Sequence, residues 1–135
     1  MRRDDLIGLW SIDLLYGDGA QEDTWLAFRS NGTGWLAFLH YGLCELDTFD
    51  WSMSEGGPLT IVGNRYRSPP DPEQASSFSF ADLCFRVTQR DTPRYGIVSV
   101  LTFDCEIWCS VSEFGLVSRD EDKLNPPVFD ADPDT

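Results

Sequence analysis

Four groups of residues have types and spacing that could do chemistry. The first is the glycine pair in FRSNGTGWLAF, Phe28 to Phe38. A phosphate-binding loop needs a strand, a glycine-rich turn and a helix whose free N–H groups face the anion. After Gly34 the residues run Trp-Leu-Ala-Phe-Leu-His-Tyr, alternating as a strand does and lacking the Lys-Ser/Thr of such a loop. Asn31-Gly32 between two apolar runs signals instead a two-residue hairpin turn, because both residues tolerate positive φ. The second group is His40, the one imidazole of the chain, which that hairpin places opposite Asp23. A carboxylate could orient it as a general base, but no nucleophile motif accompanies it. We read the pair as a cross-strand charge contact. The third is Cys105 and Cys109, which on a continuous strand stand about 13 Å apart, too far to share a metal at bonds of about 2.3 Å. A turn at Glu106-Ile107 would bring them closer. The fourth is the set of 23 acidic residues, among which Asp104 and Glu106 flank Cys105 on one side of a strand and none stands out as a catalytic pair. No enzyme, metal or cofactor is predicted.

The elements that position these residues read as strands. Short alternating apolar runs recur between turn residues, the spacing of an all-β barrel or sandwich, and five Trp, four Tyr and nine Phe favour strands further. The first run is Leu9 to Tyr16, preceded by a helical turn over Asp4 to Gly8. Two runs flank Asn31-Gly32. In Glu45 to Met53, Phe49, Trp51 and Met53 share one face while Thr48, Asp50 and Ser52 share the other. Leu59 to Tyr66 follows, and then a Ser-, Pro- and Asp-rich loop over Ser68 to Ser76. In Ser77 to Gln89 the apolar parity changes near Asp82, predicting a bulge or break there. Ile97 to Phe103 and Ile107 to Val117 bring the count to about eight. We expect a single antiparallel β-barrel over residues 1–118 and a disordered, acidic, proline-rich tail over 119–135.

The two-residue turn fixes the register of the second hairpin. Phe28 faces Trp35 and Leu26 faces Ala37 on a core side; Trp25, Leu36 and Phe38 share the opposite side with Arg29 and His40. An exposed apolar cluster of that kind is a contact surface, unless Val128 and Phe129 of the tail fold back over it.

The formal charge is −13. Such a field repels nucleic acid and anionic membranes and speeds encounter with basic proteins. No Lys or Arg falls between Arg29 and Arg65, where Glu45, Asp47, Asp50 and Glu55 lie. The chain opens MRRDDLIGLW without an apolar run long enough for a signal sequence. A cytoplasmic location is expected, and with it four reduced cysteines, mostly buried.

Gly8-Leu9-Trp10 at the head of the first strand, the hairpin-connected strands after it, and Arg119 just past the last resemble the lipocalin-like (calycin) β-barrel pattern. Leu26 to Gly34 followed by Phe49-Asp50-Trp51 is similar to small bacterial lipocalin-like domains. The resemblance implies that Arg119 packs across the Trp10 ring at the closed end of a barrel. Ligand carriage does not follow from it, since fold does not imply function. Two functions are expected from the residues. One is a non-enzymatic inhibitor or immunity-type protein that presents Trp25, Leu36, Phe38, Glu45, Asp47, Asp50 and Glu55 to a basic toxin or nuclease. The alternative is a carrier of a small apolar ligand in a cavity lined by Phe28, Trp35, Phe49 and Trp51.

Overall fold

The turn after Phe28 sets the register of everything that packs on it. In the computed structural model, which describes residues 2–16, 22–54, 57–108 and 111–129, Gly32 has φ +85° and Asn31 does not share that conformation. Gly32 N–H donates to the Arg29 carbonyl at 3.2 Å and Arg29 N–H to the Thr33 carbonyl at 2.8 Å. Asn31 Oδ1 accepts from the Thr33 N–H and hydroxyl at 3.0 and 2.6 Å. This is a type I turn closed by a left-handed glycine, a three-residue loop and not the two-residue turn expected. The side-chain bond of Asn31 holds its own backbone out of the left-handed region.

One added residue slips the register by one and exchanges faces. Between β2 (Glu22–Phe28) and β3 (Thr33–His40), Phe28 pairs with Gly34, Leu26 with Leu36, Trp25 with Ala37 and Glu22 with His40. The expected pairings Phe28–Trp35, Leu26–Ala37, Trp25–Phe38 and Asp23–His40 are therefore corrected. Gly34 has a steric reason to be glycine, since a Cβ there would come within 2.4 Å of the Phe49 ring and of the Ala27 carbonyl.

Among the described residues ten strands form one antiparallel sheet. Besides those two they are β1 (Gly8–Ser11), β4 (Leu43–Met53), β5 (Leu59–Arg67), β6 (Gln74–Ala75), β7 (Phe80–Leu83), β8 (Phe85–Thr92), β9 (Gly96–Phe103) and β10 (Glu113–Ser118). Their order is β6-β5-β4-β3-β2-β1-β10-β9-β8, with β7 also on β5. The hydrogen-bond ladder does not close into a ring. Yet Leu83 pairs with Leu59 of β5 and Phe85 with Phe103 of β9, so the two ends of the sheet are joined through Cys84. The break falls where the parity change puts it, and Asp82 beside it has φ +54°. The first run is corrected in its second half. Asp13–Tyr16 form a helical turn, α1, whose first N–H is held by Ser11 Oγ and Asp23 Oδ1, each at 3.1 Å. Arg3–Asp5 form a 3-10 turn that overlaps the start of the helical turn expected over Asp4 to Gly8.

The concave face of the sheet buries the main core, including Trp10, Phe28, Leu36, Phe49, Trp51 and Phe114. Its Arg3–Asp5 end is sealed. Trp10 Nε1 donates to the Leu6 carbonyl at 3.0 Å, and the Arg119 guanidinium lies 5.6 Å from the Trp10 ring. The same guanidinium donates to the carbonyls of Asp4, Asp5 and Ile7. The opposite face carries a second cluster of Leu9, Ala27, Trp35, Ala37, Leu46 and Leu124, with Trp25 and Phe129 packed against it. Leu124 is fully buried and its carbonyl accepts from Trp35 Nε1 at 2.8 Å, so the expectation of a disordered tail is corrected for this part of the segment. Asp120 caps a 3-10 turn over Glu121–Lys123 that delivers Leu124 to the sheet. The expected buried thiols are corrected as well: Cys84 and Cys105 are exposed, Cys44 is half-buried, and Cys109 lies outside the described residues.

Candidate functional site at the Trp108 end of the sheet

Strand β4 alternates as its sequence dictates, with Phe49 and Trp51 buried and Asp50 and Ser52 exposed. The same parity carries Glu45 and Asp47 onto the concave face, where Glu45 pairs with Phe38 and Asp47 with Leu36. Asp47 is only 6% exposed. Across the other ladder it pairs with Tyr66 of β5. Ser76, which follows β6, donates its hydroxyl to Asp47 Oδ1 at 2.6 Å and accepts the Phe78 N–H at 3.1 Å. The Tyr66 hydroxyl donates to Glu45. Burial pushes the Asp47 carboxyl above its ordinary range, the Ser76 hydrogen bond opposes that, and the Glu45 charge adds to it. The bond to Glu45 is the main reason the Tyr66 phenol is held above its usual value, and it remains a neutral donor.

Asp47 and Tyr66 open onto a hollow of about 320 Å³ whose other walls are Gln74, Ala75, Ser77, Phe78, Phe80, Ile107 and Trp108. A second hollow of about 400 Å³ is lined by Ile12, Glu22, Asp23, Thr24, Phe38, Trp108 and Val111. Trp108 belongs to both, and its ring stands 6.2 Å from that of Phe38. The two acids differ in their vacancy for a ligand. Asp23 is saturated, accepting from Ser11 Oγ, the N–H groups of Asp13 and Thr24, and Trp25 Nε1. Among the described residues Asp47 accepts from Ser76 alone.

The residues expected to bind a basic protein do not form one surface. Leu36 is 2% exposed and belongs to the core. Trp25 and Phe38 are half-buried on opposite faces of the sheet, a direct result of the slipped register. Asp47 is buried, Glu45 half-buried, Asp50 exposed, and Glu55 lies outside the described residues. The expected cavity set is dispersed too. Phe28, Phe49 and Trp51 pack edge to face at 5.4–5.6 Å, consuming one another's ring surface, while Trp35 lies on the other side under Leu124. His40 meets Glu22 at 3.4 Å on the exposed rim. Tyr66, Ser76, Phe78 and Trp108 had no motif to mark them. Asp47 did have a signal, its parity with Phe49 and Trp51. No helix among the described residues is long and apolar enough to cross a membrane, and no grouping of metal-ligating side chains occurs among them. Compared with known proteins, the chain matches no family model, no curated protein and no solved structure.

Proposed function

We propose that this chain is a non-enzymatic, lipocalin-like binding domain that holds a small, largely apolar ligand at the Trp108 end of its curved sheet. The observation that carries this reading is a buried carboxylate at the wall of an aromatic hollow. Sites for small molecules are concave and mostly apolar, with a few polar groups fixing orientation. Asp47, Tyr66 and Gln74 supply the polar groups; Phe78, Phe80, Ile107 and Trp108 supply the apolar walls. The lipocalin-like reading is supported by Arg119 over Trp10 and by the way Cys84 joins the two ends of the sheet. Binding of a basic protein draws support from the net charge and from exposed Asp50, but its proposed apolar anchors point to opposite faces.

Titration with N-phenyl-1-naphthylamine, a neutral dye that fluoresces in apolar sites, tests the proposal. Binding should be saturable at one dye per chain. Ser77→Trp, at an exposed position on the rim of the hollow, should weaken it at least about tenfold while the melting temperature stays put, since a filled pocket excludes its ligand. Dye that binds without saturation, or binds Ser77→Trp as well as wild type, would overturn the assignment.

A further inference from the structure

We propose that the ligand of the Asp47 hollow is a small organic cation, a protonated or quaternary amine on an aromatic or branched apolar body, with its charge against the Asp47 carboxylate. The inference rests on the hollow being a binding site. A carboxylate more than nine-tenths buried is costly unless a counter-charge accompanies it. Among the described residues Asp47 has one neutral hydroxyl. The charged and titratable groups facing it are Glu45 on its own strand and Tyr66 on β5, which bond to each other. Gln74 and Ser77 are neutral, and the loop before β10 contributes Ile107 and Trp108. Among the described residues no Lys, Arg or His lines the hollow. Arg65 and Arg67 pair across from Thr48 and Leu46, on the sheet's other face, where Arg67 lies 4.8 Å from the Phe129 ring. A bound cation would thus supply the missing counter-charge.

The walls fit the same chemistry. Phe78 and Phe80 meet edge to face at 5.1 Å, and Trp108 stands on the same hollow. Ring faces attract ammonium groups, and a desolvated cage of rings with one carboxylate recognises methylated amines well. A volume of about 320 Å³ lies at the lower end of ligand sites and suits a compact amine better than a lipid. The charge of −13 concentrates cations around the molecule.

Calorimetric titration at neutral pH with 2-phenylethylamine and 2-phenylethanol, which share one apolar body, tests the inference. The amine should bind at least about tenfold more tightly than the alcohol, and Asp47→Asn should remove that margin while leaving the alcohol unaffected. Equal binding of both, lost together in Ser77→Trp, would keep the hollow as a site and overturn the cation. Binding of neither would overturn the site itself. Should Asp47→Asn fail to fold, wild type suffices with benzyltrimethylammonium, whose charge does not titrate. Its affinity should fall as pH drops from about 8 towards 3.8 and Asp47 takes up its proton, its carboxyl titrating above that value. A flat profile would overturn the proposal.

Discussion

At Asp47, between Leu36 and Tyr66, burial favours the neutral acid over the ion. Its carboxyl therefore titrates above the ordinary 3.8 in the folded protein and near that value in the unfolded chain. Stability contributed by the protonated acid is fully present below about pH 3.8 and is lost as pH rises through the folded value. Asp47→Asn cannot ionise. Its melting temperature should gain on wild type as pH climbs from about 3.8 and level off once Asp47 is ionised. A difference between the two proteins that does not change with pH would show that the carboxyl is hydrated in the folded state. The position of Asp47 is written in its parity with Phe49 and Trp51, while its acidity argues for the surface; the strand period prevails because a continuous ladder cannot turn one side chain around. Tyr66 and Ser76 carry no such mark, because only the fold brings residues 47, 66 and 76 together.

Among the elements, the β2–β3 hairpin was legible as a hairpin but not in its register. Asn31-Gly32 is compatible with two turn types, and the choice between them depends on whether the Asn31 side chain bonds to Thr33 or leaves its backbone free to invert. That single choice moved Leu36 into the core and separated Trp25 from Phe38. The break near Asp82 was legible because parity survives any register. The α1 turn was missed because its cap comes partly from Asp23, ten residues away. The pairing of Phe28 with Gly34 leads to a direct test. Gly34→Ala places a methyl within 2.4 Å of both the Phe49 ring and the Ala27 carbonyl, in a core with nowhere to yield. Overpacking of this kind should cost about 3 kcal/mol in chemical denaturation. A loss under about 1 kcal/mol would mean that the two strands are not held in this register.

At the scale of the molecule, the segment after β10 belongs to the structure, since Leu124 and Phe129 close the convex cluster around Trp35. The fold-back of Phe129 is one of the two readings of the hairpin's outer face, although Val128 stays exposed. Proline and charge hid Leu124, because a lone Leu in an acidic stretch gives no periodic signal. Truncation after Ser118 uncovers Trp35 and removes the buried Leu124, and also takes away Arg119. It should cost at least about 2 kcal/mol in denaturant unfolding. Equal stability of the truncated and the full chain would show the segment to be idle. The sheet order has a further consequence, for assembly during synthesis. Strands β2 to β5 pair with their neighbours in sequence and can form as they emerge, but β1 lies between β2 and β10. Trp10 thus waits through about a hundred residues of translation for the strand that covers its second edge and for the arginine that lies over its ring. Until then the growing chain carries a strand with one open edge and a tryptophan in it, which makes the ribosome-bound intermediate, more than the finished protein, the form in need of protection from its neighbours.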